Sequence, residues 1–309
     1  MANFKETVKK LFDSVDININ GSRPCDPQIH NEFFYARAIS GGSLALGESY
    51  MDGWWDCQAL DQFSDKLLSG RIDKQVKVKN PTFFSHVIKA YIFNAQSKKR
   101  AYIVGKEHYD IGNDLFSLML DERMNYSCGY WRNANSLEQA QINKLDLVCR
   151  KLHLEPGMNV LEIGCGWGGF AKFAAEKYGV TVHGVTVSKE QMNFAKKSCE
   201  GLKTSFELRD YRDLDAKYDA IVSIGMFEHV GYKNYKTFMN VANRCLTDDG
   251  LFLLHTIGRN TPGFSTDPWT NKYIFPNGMT PSSSQISEAL QGFFVVEDWH
   301  NFGQTMTQH

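Results

Sequence analysis

Between residues 159 and 255 the chain alternates short apolar runs with longer stretches whose apolar residues recur three or four positions apart. The runs at 159–163, 181–185, 205–208, 218–224 and 250–255 have strand length. The stretches at 170–178, 189–199 and 235–245 have helical spacing. Continuous apolar strands separated by helices predict a parallel sheet covered on both faces, with ligands at the carboxyl ends of its strands. Gly164, Thr186, Asp210, Gly225 and His255 fall at those ends. A further helix is expected over 137–152, with Glu138, Gln141 and Lys144 on a polar face.

Upstream, Phe4, Val8, Leu11, Phe12 and Val15 predict an amphipathic helix over 3–15, ended by the turn Asn18-Ile19-Asn20-Gly21. Phe33-Phe34-Tyr35 and residues 41–55 combine expected glycine turns with an aromatic cluster, which is a small core, a direct lipid contact or both. Helical spacing returns at 60–68, and the basic, proline-broken stretch 74–81 suggests a domain boundary. Residues 83–104 set an apolar stripe beside Lys98, Lys99, Arg100 and Lys106. That pattern suits either a helix lying on anionic headgroups or the solvated face of an interdomain helix. The expected organisation is a small domain over 1–80, a basic linker helix over 81–106 and a larger domain over 107–309.

The most informative stretch is Val160-Leu161-Glu162-Ile163-Gly164-Cys165-Gly166-Trp167-Gly168-Gly169. An apolar strand carrying an acid and turning through alternating glycines lets the backbone approach a ligand closely. Its GxGxG spacing, with Glu162 two residues before Gly164, resembles motif I of S-adenosylmethionine-dependent methyltransferases and differs from the dinucleotide fingerprint GxGxxG.

Composition narrows the classes. With 309 residues, 42% of them hydrophobic, the chain can bury a large core, and its length suggests two domains. A formal net charge of -1 gives no global reason to bind nucleic acid, and none is expected as a partner. Cys25, Cys57, Cys128, Cys149, Cys165, Cys199 and Cys245 are scattered without CxxC or ligand pairing, so reduced cytosolic thiols and no metal are expected. No run reaches the ~20 apolar residues that span a bilayer, and the first residues lack a signal-like apolar core, so a soluble or peripheral protein is expected.

Taken together, residues 109–113, Tyr126-Ser127-Cys128, 161–169, Phe227-Glu228-His229-Val230-Gly231, Leu253-Leu254-His255-Thr256-Ile257 and 269–278 resemble the bacterial cyclopropane-fatty-acyl-phospholipid synthases, relatives of the mycolic acid cyclopropane synthases. The resemblance implies an α/β, class I, Rossmann-like S-adenosylmethionine-dependent methyltransferase domain behind a smaller N-terminal domain that binds lipid and dimerises. It implies transfer of a methylene group to the cis double bond of an unsaturated acyl chain in a membrane phospholipid, by a cytoplasmic homodimer peripheral on the inner face of the membrane. Candidate cofactor residues are Tyr126, Ser127, Glu162, Gly164, Cys165, Gly166 and Gly168, with Thr186, Ser188 and Gln191 toward ribose. Asp210, Tyr211 and Arg212 either flank adenine or form a capped turn. The resemblance further implies bicarbonate as the base, held by Cys128, Glu228, His255 and the Ile257 backbone. Without that context Cys128 would read as a small buried hydrophobe and His255 as a core histidine. An alkene is a weak nucleophile and its methylation leaves a carbocation, so the pocket must exclude water, with Tyr130, Trp131 and Phe227 as candidate cation-stabilising rings.

The resemblance breaks after Gly303, where the family continues with a pattern like Ala-Asp-Tyr-Asp-Thr-Thr-Leu-Met and this chain reads Gln304-Thr305-Met306-Thr307-Gln308-His309. Deleting one base from one coding of the family pattern yields Gln-Thr-Met-Thr-Gln-His and a stop. A frameshift or a sequencing error is therefore expected, with the bicarbonate tyrosine, the final strand beside 251–255 and 294–299, and the C-terminal helices missing. The alternatives are a non-catalytic remnant that still binds S-adenosylmethionine or lipid, and a different lipid C-methyltransferase.

Overall fold

The computed structural model describes residues 2–72, 113–264 and 266–303. The expected boundary at 74–81, the linker helix 81–106 with its basic cluster, and the tail 304–309 lie outside them. The chain divides into two units, and the first joins the N-terminal residues to Asp267–Ile274. That return segment comes from within the stretch 107–309.

In the first unit, α1 (Ala2–Asp13), α2 (Phe34–Met51) and α3 (Leu60–Ser69) accompany a two-residue antiparallel pair, β1 (Gln28–Ile29) with β2 (Trp55–Asp56). The apolar positions of the three helices converge on Val8, Phe12, Phe34, Tyr35, Trp55 and Phe63, all buried. The core reading of the aromatic cluster thus holds for Phe34, Tyr35 and Trp55. The expected glycine turn holds at Gly53 (φ 70°), whereas Gly41, Gly42 and Gly47 lie inside α2, which kinks at Gly42 (φ 59°, ψ -141°). Only glycine enters that region without strain, so the helix bends there instead of ending.

In the second unit, α4 (Asn113–Met119) and α5 (Leu137–Lys151) precede β3 (Asn159–Ile163), α6 (Gly169–Tyr178), β4 (Thr181–Thr186), α7 (Lys189–Ser198), β5 (Thr204–Leu208), β6 (Tyr218–Ile224), α8 (Tyr235–Cys245) and β7 (Leu246–His255). After β7 come the short α9 (Pro268–Tyr273), part of the first unit, and α10 (Ser283–Leu290). The strands form one parallel sheet in the order β5-β4-β3-β6-β7. Strand alternation assigns β3 to both cores. Val160 packs with Leu145 and Val148 of α5, Phe170 and Ala174 of α6 and Ala195 of α7, whereas Leu161 and Ile163 pack with Phe238 and Met239 of α8 and Ile286 of α10. Because β4 and β6 flank β3 on opposite sides, the chain order reverses at β3, which opens a crevice at the strand carboxyl ends.

Two expectations change. Residues 294–299 form no strand, and Val295, Val296 and Trp299 are exposed, because no strand among the described residues pairs with them. Gln141 and Lys144, expected on a polar face of α5, are buried. They occupy the same side of the helix as Leu145 and Val148, and that side faces the sheet.

Candidate active site

The crevice is a cavity within the second unit. Eleven of the thirteen candidate cofactor residues line it: Tyr126, Ser127, Glu162, Gly164, Cys165, Gly166, Thr186, Gln191, Asp210, Tyr211 and Arg212. The turn after β3 shapes its floor, with Gly164 (φ 83°) and Gly166 (φ 51°) both in the left-handed region. A side chain at Gly164 would place Cβ 2.6 Å from Met226 Cγ, while one at Gly166 would enter open space. The turn therefore keeps backbone exposed to the cavity where most residues would fill or strain it. Glu162 on β3 is buried, and its Oε2 has no hydrogen-bond partner. Burial raises its carboxyl well above the usual range.

Gly168 and Ser188 are not brought to the cavity. Gly168 (φ 86°) precedes α6, where a Cβ would press 3.0 Å from Ala195 Cβ, so it serves close helix packing. Ser188 caps α7, its Oγ accepting from the Gln191 N–H at 3.2 Å. The Thr186 hydroxyl donates to Gln191 Oε1 at 3.0 Å, which fixes the amide and leaves its nitrogen as the donor available to a ligand. For Asp210 the capped-turn reading holds. It caps a short turn, taking Arg212 N at 3.0 Å and the guanidinium at 2.8 Å, and the same three residues line the cavity.

One wall is the loop after α4. Trp167 Nε1 donates to Asn113 Oδ1 at 2.8 Å, and the Trp167 ring lies 4.8 Å from Phe116. The buried Asp121 accepts from Asn125 N at 2.7 Å and Asn125 Nδ2 at 2.9 Å, which sets the course of the chain into Tyr126 and Ser127. Behind that loop, Gln141 donates to the Ser127 carbonyl at 2.7 Å and Lys144 Nζ donates to Ser127 Oγ at 2.8 Å. Lys144 has no exposed surface, and burial lowers its amine to about 8.

Next in sequence to Ser127, the Cys128 thiol lies 3.5 Å from His255 Nε2 at the end of β7. Burial raises the thiol, and burial together with nearby Lys144 lowers the imidazole to about 4. Both groups are therefore neutral at pH 7. If the thiol donates to Nε2, the imidazole proton resides on Nδ1, which is buried without a protein partner. Glu228 Oε1 accepts the Ile257 N–H at 2.7 Å, whereas its Oε2 is buried and unpaired. Burial raises this carboxyl as well. The four candidate catalytic residues thus form two contacts, Cys128 with His255 and Glu228 with Ile257, and the first adjoins the cavity through Ser127. Phe227 does not join them: it is fully buried and stacks on Tyr235 at 4.2 Å in the core. The sequence reading missed Lys144, Gln141, Met226, His229 and Arg209. For the first two the signal was present, since 141, 144, 145 and 148 share one face of a helix.

A five-stranded parallel sheet whose glycine turn, second-strand hydroxyl and third-strand acid meet at the strand ends defines the class: a Rossmann-like S-adenosylmethionine-dependent methyltransferase fold. The crystal structure of the mycolic acid cyclopropane synthase CmaA1 complexed with SAH and CTAB superposes with a TM-score of 0.62 and 35% identity, over 66% of this chain and 78% of that one. The family described as mycolic acid cyclopropane synthetase matches residues 96–308, and the chain belongs to it. That match continues past Gly303, where the sequence reading placed the break. The chain is 53% identical over 304 residues to the cyclopropane-fatty-acyl-phospholipid synthase of Escherichia coli strain K12, covering 97% of this chain and 78% of the relative. It is 40% identical over 209 residues to cyclopropane mycolic acid synthase 1 of Mycobacterium tuberculosis, covering 61% and 73% of the two chains.

Proposed function

We propose that this chain is a cyclopropane-fatty-acyl-phospholipid synthase, which transfers a methylene group from S-adenosylmethionine to the cis double bond of an unsaturated acyl chain in a phospholipid. The observation that carries the reading is the continuity Tyr126-Ser127-Cys128: two cavity-lining residues run directly into the thiol that meets His255. S-adenosylmethionine, when bound, supplies an electrophilic methyl group. The unpaired Glu162 oxygen, the Gln191 amide and the open glycine turn fit such a polar, flat ligand. The alkene attacks the methyl carbon, and ring closure requires loss of a proton from the added group to a nearby base.

Neither Cys128 nor His255 suits that task alone. The thiol is neutral, and an imidazole lowered to about 4 is a weak base. A bound bicarbonate would supply the base; His255 Nδ1 and Glu228 Oε2, both buried without partners, would hold it, and burial shifts the Glu228 carboxyl toward its protonated, donating form. The lipid is reached at a membrane surface by a peripheral homodimer on the cytoplasmic side. No helix among the described residues is long and apolar enough to cross a membrane.

The test supplies the purified chain with S-adenosylmethionine and vesicles of cis-monounsaturated phospholipid in bicarbonate-depleted buffer, then adds bicarbonate. Cyclopropane acyl chains should form and their rate should rise with bicarbonate. Turnover indifferent to bicarbonate would remove it from the mechanism, and the absence of any cyclopropane product under both conditions would remove the activity.

A further inference from the structure

Lys144 stands out because its position is costly. It is the only lysine or arginine that is buried among the described residues. Its ammonium makes one hydrogen bond, to Ser127 Oγ at 2.8 Å, and no carboxylate oxygen lies within the 4.0 Å of an ion pair. A buried ammonium with a single neutral partner is strongly disfavoured, and structures keep such a group where an opposite charge arrives or where it is paired. The charged and titratable groups that face it are Asp121 from the loop after α4, Cys128 next to Ser127, Glu162 from β3 and His255 from β7. Asp121 is occupied with Asn125, and Glu162 and Cys128 are held toward their neutral forms by burial. None of them supplies the missing countercharge at hydrogen-bond range.

Ser127 relays this charge into the cavity. Its Oγ accepts from Lys144, so its own proton is free to be donated, and Ser127 lines the cavity while Lys144 stands behind it. A hydroxyl polarised in this way is a strong donor to an anionic oxygen. The same cavity presents an unpaired acid oxygen on Glu162. An acid on one wall and a cation-backed hydroxyl on another match the two ends of an amino-acid zwitterion.

We propose that Lys144 is a positioning residue that acts through Ser127 to hold the carboxylate of the ligand's amino-acid end. The assignment rests on the cofactor reading above. Carboxylate binding favours the protonated amine, so affinity for a carboxylate-bearing ligand is highest below the amine's titration near pH 8 and falls as pH rises through it.

The experiment measures binding of S-adenosylhomocysteine and of 5′-methylthioadenosine, which keeps the nucleoside and thioether but lacks the amino-acid end. Calorimetric titrations use the full chain, Lys144→Met and Ser127→Ala at pH 7 and pH 9. At pH 7, Lys144→Met should lose about tenfold or more in S-adenosylhomocysteine affinity while 5′-methylthioadenosine binding stays within about twofold. Between pH 7 and 9 the unmodified chain should lose about tenfold more S-adenosylhomocysteine affinity than Lys144→Met, a comparison that cancels titration of the ligand's own amine. Equal losses for both ligands would mark Lys144 as a purely structural residue and overturn the proposal, as would no loss for either. If Lys144→Met fails to fold, Ser127→Ala decides: unchanged preference for S-adenosylhomocysteine over 5′-methylthioadenosine overturns the relay. If the unmodified chain binds neither ligand, the cofactor reading itself fails and this assignment falls with it.

Discussion

Replacing Lys144 by Met should make the protein more stable at neutral pH, and the gain should shrink as pH rises. The amine titrates near 8 in the folded chain against 10.5 ordinarily. A difference of about 2.5 units corresponds to ~3.4 kcal/mol of linked free energy. Between pH 8 and 10.5 the unfolded chain binds more protons than the folded one, so stability rises with pH through that window. The cost of the buried charge is therefore nearly complete at pH 7. At pH 9.5 the same two constants leave ~1.4 kcal/mol, so about 2 kcal/mol of the cost is relieved between the two conditions. Met fills a similar volume without a charge, and exchanging a buried ion for an apolar side chain is neutral to stabilising. The stability of Lys144→Met minus that of the unmodified chain, from urea unfolding followed by tryptophan fluorescence, should thus fall by about 2 kcal/mol from pH 7 to pH 9.5. The subtraction removes tyrosines and cysteines common to both proteins. A difference that stays constant across this range would refute the view that an ionised amine is buried at this position.

Three further outcomes follow from other contacts. Gly164→Ala combines a left-handed φ of 83° with a Cβ 2.6 Å from Met226 Cγ, and should cost about 2–4 kcal/mol in urea unfolding together with most S-adenosylhomocysteine binding. Gly47→Ala would gain helix propensity in α2, but its Cβ would meet Trp269 Cδ1 at 2.4 Å, so the thermal midpoint should fall by the equivalent of about 1–3 kcal/mol, not rise. Cys128→Ala should lower cyclopropane formation by about tenfold or more while S-adenosylhomocysteine affinity stays within about twofold, because the thiol meets His255 and does not line the cavity.

The alternating core of the second unit was open to sequence reading because local patterns and global fold agree there. β3 and β6 begin and end at the expected residues, and helix Tyr235–Cys245 does too. The cavity was legible for the same reason, since strand carboxyl ends and glycine turns are marked locally. What escaped depended on distant partners. Lysine is usually solvated, which puts Lys144 on a polar face, although its spacing with Leu145 and Val148 places it on the buried face of α5. Gly47 signalled a turn, yet it lies within a helix where the Trp269 ring, more than two hundred residues away in sequence, occupies the space beside it. Ser188 and Gly168 matched ligand motifs but are used for a helix cap and close helix packing. Such assignments require knowing what lies beyond the backbone turn, which spacing alone does not encode.

Methylene transfer is tested most directly by following the methyl hydrogens. The chain would be given S-adenosylmethionine carrying a CD3 group and vesicles of cis-monounsaturated phospholipid, and the released acyl chains analysed by mass spectrometry and proton NMR. A cyclopropane synthase retains CD2 in a ring, loses the olefinic signals and releases one deuterium to the base. Acyl chains that retain the whole CD3 group, or that keep their olefinic signals unchanged while S-adenosylhomocysteine still binds, would contradict the account.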